Sequence, residues 1–146
     1  MRALVLALLV CRVCFGQSVR VRVVDGKDGR GLPKQAVTVQ FLYEKPAEAS
    51  PPLRLETDPN GETQFSIPAP APALLNVRVT LTSEHWHCGC AMMADPQTVV
   101  HRGYLEGVST KTKSSTAPAN PLPGQIVFVA RPFTLVERLL YPFVKE

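Results

Sequence analysis

Three observations predict an all-β fold for this 146-residue chain, a seven-stranded β-sandwich with a short C-terminal helix. Apolar and polar residues alternate over several short runs, the period-two signature of half-buried strands. Turn signals rich in Gly, Pro and Asp separate the runs about every eight to twelve residues. Only the last stretch changes to helical spacing.

The chain begins Met1-Arg2 and continues with "ALVLALLV", Ala3 to Val10. A short basic start before a brief apolar run has the form of a signal peptide. The run is well short of the roughly 20 apolar residues that span a bilayer. In "VCFGQS", Cys14 and Gly16 are the small residues before a cleavage point, which places a signal peptide at 1–16 and the mature start at Gln17. No transmembrane segment is then expected in the mature chain, and the compartment is secreted or periplasmic.

The sandwich is expected over 17–132. In "SVRVRVV", Val19, Val21 and Val23 share one face and Arg20 and Arg22 the other. "DGKDGRGLP" follows as a turn. "AVTVQFLYE" sets Val37, Val39, Phe41 and Tyr43 on one face of a second strand, and the proline-containing "EKPAEASPP" makes the next loop. "LRLET" is a short third strand. "DPNG" has turn chemistry, with Pro59 presetting φ and Gly61 accepting a positive φ. "ETQFSI" is a fourth strand, and "PAPAPA" an extended connector. "LLNVRVTLT" points Leu75, Val77, Val79 and Leu81 inward. "QTVVHRGYL" is expected as a sixth strand. The polar, proline-rich 109–124 segment is expected to be a flexible loop. "QIVFVA" is a continuous apolar run, hence a core strand.

Residues 133–146 form the expected C-terminal amphipathic helix and tail. Thr134 with Glu137 three places on makes a capping box. Leu135 and Leu139, and Val136 and Leu140, fall at i, i+4 spacing until Pro142 limits the helix. So short a helix must pack on something. Phe133, Leu139, Tyr141 and Phe143 could dock on a partner or a membrane interface, or the helix could close the open end of its own sandwich.

Charge narrows the partners. Of the 16 Lys and Arg, Arg2 and Arg12 leave with the signal, so 14 face 12 Asp and Glu. The basic residues, among them Arg20, Arg22, Lys34, Arg54, Arg78, Lys111, Lys113 and Arg131, are scattered along the sequence. A nucleic-acid partner would call for a dense basic stripe with interleaved aromatics, so none is expected.

Reactive side chains crowd together in "HWHCGC", His85 to Cys90. After signal removal Cys88 and Cys90 are the remaining cysteines, in a compartment where free thiols tend not to persist. They are a candidate local disulfide, with Gly89 easing a very small ring. His85, His87, Cys88 and Cys90 are also candidate ligands for zinc or copper, and His101 could add a distant one. Four ligands within six residues, however, strain a tetrahedral site. A thiol-redox role would want the dithiol at a helix start on a βαβ scaffold, a pattern missing here. Asp25, Asp28, Asp58 and Asn60 could line a calcium site, although such residues more often make turns.

"VRVRVVDGKDGRGLPKQAVTVQF", then "TDPNGETQFSIP", then "NVRVTLT" resembles the carboxypeptidase regulatory-like domain, grouped with the transthyretin-like and Cna B-type sandwiches. The likeness covers roughly Ser18 to Thr82. It implies an Ig-like or transthyretin-like architecture and a non-catalytic module of exported proteins. Some Cna B-type relatives crosslink a first-strand Lys to Asn, but this first strand offers Arg20 and Arg22, far poorer nucleophiles. The hydrolases of the transthyretin group end in Tyr-Arg-Gly-Ser, whereas this chain ends "YPFVKE". The expectation is a non-enzymatic module, without cofactor, that binds a protein or the cell envelope. The alternative is a periplasmic metal-binding or thiol-redox protein using His85, His87, Cys88 and Cys90.

Overall fold

The computed structural model describes residues 16–44, 50–82, 86–88, 91–107, 120–132 and 134, with 86–88 described by backbone alone. The chain is an all-β sandwich of two sheets with one short helix among the described residues. The strands are β1 (Ser18–Asp25), β2 (Ala36–Leu42), β3 (Leu53–Glu56), β4 (Glu62–Ser66), β5 (Leu74–Thr80), β6 (Trp86–Cys88), β7 (Ala91–Ala94), β8 (Tyr104–Gly107) and β9 (Gln125–Pro132). The helix α1 (Pro96–Arg102) lies between β7 and β8.

Sheet A runs β4-β1-β9, and the far edge of β9 is shared by β8 and β6. β8 takes Ile126 to Val129 and β6 takes Ala130 to Pro132. The β1–β9 and β9–β8 pairs are parallel. Sheet B runs β3-β2-β5-β7, antiparallel throughout.

Each sheet turns its alternating apolar face to the other. Val19, Val21 and Val23 of β1 and Ile126 and Phe128 of β9 are fully buried, as are Val37 and Val39 of β2 and Leu75 and Val77 of β5. Phe41 of sheet B meets Phe65 of sheet A edge-on, with ring centroids 6.0 Å apart, a favoured aromatic geometry.

The structure corrects two sequence expectations. Nine strands stand among the described residues instead of seven, because β6 and β7 are too short to show a period. The expected strand at Gln97–Leu105 is instead helix α1 followed by β8. Asp95 caps the helix, its carboxylate accepting from the amides of Gln97 and Thr98 at 3.3 and 3.2 Å. Pro96 occupies the first turn, and Gly103, at φ 74°, ends the helix. These caps outweigh the strand preference of Val99 and Val100. Val99 is buried in the main core, so α1 closes one end of the sandwich.

The last part of the expected 109–124 loop is tied down. The Gly124 amide donates to the Val99 carbonyl at 3.0 Å, and the Gly124 carbonyl accepts from Arg20 N at 2.9 Å. Residues 109–119 lie outside the described residues.

A polar knot ties together the chain at one end of β2, β3 and β5 in sheet B. The buried Thr57 hydroxyl accepts from Gln35 N at 2.9 Å and donates to the Leu32 carbonyl at 2.8 Å. The Gln35 side chain accepts from the Thr82 amide at 3.0 Å. Thr57→Val keeps the shape but orphans a buried amide and a carbonyl, so it should cost about 1–3 kcal/mol. Urea unfolding checks this, and a midpoint equal to wild type would refute it.

Candidate functional site

The Asp- and Gly-rich turns predicted by the sequence create the most distinctive surface. From β1 the chain enters the 26–32 loop and returns, with Leu32 N donating to Val23 O at 2.8 Å and Asp25 N to Arg30 O at 2.8 Å. The 58–61 turn packs against this loop, and Gly61 O accepts from Val23 N at 2.9 Å. Gly31 and Gly61 touch backbone to backbone: a Cβ on Gly61 would lie 2.7 Å from Gly31 Cα. Gly61 has φ 75°, as its turn requires.

This close approach brings residues distant in sequence around one groove of about 430 Å³. Leu32, Pro33 and Pro59 give it apolar walls, Asn60 an amide, and Arg22 and Arg30 the cations. Glu62 lies between two arginines, its carboxylate 3.6 Å from Arg22 Nε and 3.9 Å from Arg20 Nε. Both distances are too long for good hydrogen bonds. Among the described residues, Arg22 Nε is a buried side-chain nitrogen without a hydrogen-bond partner. Arg20 also lines a second hollow of about 360 Å³, with Gln64 and the Leu122–Gln125 turn. Arg20 and Arg22 therefore stand on one flank of β1 beside Glu62, and Arg30 joins Arg22 at the groove.

The candidate calcium residues are engaged in their own turns. Asp25 accepts from Lys27 N at 2.8 Å and Asp28 from Arg30 N at 2.9 Å. Asp58 accepts from the amides of Asn60 and Glu62 at 2.8 and 2.9 Å. Among the described residues no three His, Cys, Asp or Glu side chains gather as a metal site. His101 is exposed in the last turn of α1.

The backbone of Trp86–Cys88 is strand β6, in register with Pro132, Arg131 and Ala130 of β9. Candidate residues His85 and Cys90 lie outside the described residues, as do the side chains of His87 and Cys88. Phe133, Leu139, Tyr141 and Phe143 lie outside them too, as do residues 1–15 of the expected signal. Among the described residues no helix is long and apolar enough to cross a membrane.

Tyr104 on β8 has a phenol pushed above its ordinary pKa of 10.0, first by burial, then by the charge of Glu106 and a hydrogen bond to it. The fold favours the neutral phenol. The stability this brings is complete below the unfolded-state value and is lost as pH rises through the higher folded value. An ultraviolet titration should show one tyrosine ionising late. Tyr104→Phe should remove that phase and Glu106→Gln should move it down; an unchanged titration in Glu106→Gln would refute the assignment.

No protein-family model matches the chain, and no curated protein matches it.

Proposed function

We propose that this chain is an exported, non-catalytic sandwich module of the carboxypeptidase regulatory-like or transthyretin-like kind, and that it binds a protein partner through the arginine flank of β1. The observation that carries this reading is the groove itself. Arg22 and Arg30 line one apolar-walled hollow, with Leu32, Pro33 and Pro59 as its walls. Two guanidinium groups at one groove favour a carboxylate, and apolar walls favour a neighbouring aliphatic side chain. The fitting ligand is an extended segment that alternates acidic and apolar residues.

Two further features support the family and export parts of the reading. Strands β1, β2, β4 and β5 span the segments that carry the resemblance, and they belong to two sheets. β1 starts at Ser18, just after the expected cleavage point, so removing residues 1–16 leaves every described strand whole.

The test is fluorescence anisotropy with a labelled peptide alternating Glu and Leu. Binding should weaken as salt rises, and Arg22→Gln with Arg30→Gln should weaken it about tenfold or more, from the loss of two charge-assisted bonds. Arg54→Gln, on β3 of the other sheet, should leave it unchanged. Equal affinity in the double variant, or no binding by the wild type, would overturn the reading.

A further inference from the structure

Val19, Val21 and Val23 of β1 and Phe65 of β4 belong to the main core. Arg20, Arg22, Glu62 and Gln64 therefore lie on the other face of these strands. Register sets Glu62 across from Arg22 and Gln64 across from Arg20. Arg22 lines the groove, and Arg20 lines the second hollow with Ser18, Gln64 and the Leu122–Gln125 turn. Among the described residues that line the two hollows, none is acidic. The turn presents an apolar residue in a fixed place. Leu122 is 67 % exposed, the most exposed large hydrophobic residue among those described. Its backbone is nevertheless held. Gln125 N donates to Leu122 O at 2.9 Å, and the Gln125 side chain accepts from Leu122 N at 3.2 Å. Gly124 of the same turn bonds to Val99 and to Arg20. An exposed leucine on so constrained a backbone loses little further freedom on binding.

We infer that the second hollow is a further subsite for the same extended, acidic and apolar segment, which runs along β1 from Arg30 and Arg22 to Arg20 and Leu122. The inference rests on the groove reading above. Spacing and charge carry it. Arg20 and Arg22 stand two residues apart on one strand face, a separation of about 7 Å. Alternate side chains of an extended ligand repeat at that same interval, so successive carboxylates meet successive guanidinium groups. Glu62 lies between the two arginines at ion-pairing distance, so a ligand carboxylate competes with it. Partly exposed pairs of this kind hold weakly. From Arg22 back to Ser18 is about 13 Å, four further residues of an extended ligand. The second subsite then takes one carboxylate on Arg20 and one aliphatic side chain against Leu122 and Pro123.

The experiment compares two labelled probes on the full chain by fluorescence anisotropy. The short probe is Glu-Leu-Glu, about 10 Å when extended, and the long one is Glu-Leu-Glu-Leu-Glu-Leu-Glu, about 23 Å. The long probe should bind about tenfold tighter or more, because its second half engages a site already at hand. Arg20→Gln with Leu122→Ser should shrink that gain to about twofold or less, and should move the short probe's affinity by less than about twofold. Leu122→Ser alone changes no charge and should lower the gain about threefold, from the lost apolar contact. Binding of neither probe overturns the groove reading and the subsite together. A long probe that binds no tighter than a short one, or a gain that survives the double variant, overturns the subsite and leaves the groove reading standing.

Discussion

Gly61→Ala should lower stability by about 2–4 kcal/mol, the combined cost of a left-handed alanine and a backbone collision. At φ 75° any side chain is strained, and the added Cβ would sit 2.5 Å from Leu32 N and 2.6 Å from Val23 O. Those atoms are main chain and are engaged with each other in a 2.8 Å hydrogen bond, so they cannot swing aside. Gly124 provides the contrast. It has φ 72°, but the atom nearest its added Cβ is Ser18 O at 3.5 Å. Gly124→Ala should therefore cost only the conformational part, about 1–2 kcal/mol. Urea midpoints of the two variants measure the difference, and equal losses would show that the Gly31–Gly61 contact is not tight.

Phe128→Ala should cost about 3–5 kcal/mol, the range for emptying a large buried aromatic site. Phe128 is fully buried on β9, the strand that meets β1 on one edge and β8 and β6 on the other. Collapse into the void is resisted from both flanks, so the loss belongs at the upper end of that range. Phe65→Ala, on edge strand β4, should cost less, since the edge can shift inward. Thermal and urea unfolding of both check the ranking, and a larger loss for Phe65→Ala would reverse it.

Much of the fold was legible because its signals are local. Val19, Val21 and Val23 alternate with arginines, and Val37 to Phe41 and Leu75 to Val79 alternate as cleanly; each set is buried in the structure. The positive φ of Gly61 was written in "DPNG". Helix α1 was missed because adjacent valines mimic a strand, although Asp95-Pro96 and Gly103 marked both of its ends. β6 and β7, at three and four residues, are held by their partners and carry no periodicity of their own. The groove was hidden for a different reason. Along the sequence Arg22 and Arg30 are two entries in a scatter of charge. They meet because the 26–32 loop folds back to bridge Val24 with Gly31, and spacing does not encode that bridge. The reactive residues of "HWHCGC" drew notice by composition alone, which says nothing about whether side chains converge.

The parallel partnership of β1 and β9 has a consequence for the order of events at birth. Val21 pairs with Ile126, about a hundred residues later, a long loop to close before any reward is gained. The first strand leaves the ribosome long before its central neighbour has been made. Until β9 emerges, β1 has only the edge strand β4 beside it, and its other edge lacks the strand that pairs Val21 with Ile126 and Val23 with Phe128. Completion of the sheet is thereby deferred until β9 has been made. The folding of such a chain is timed by its own topology.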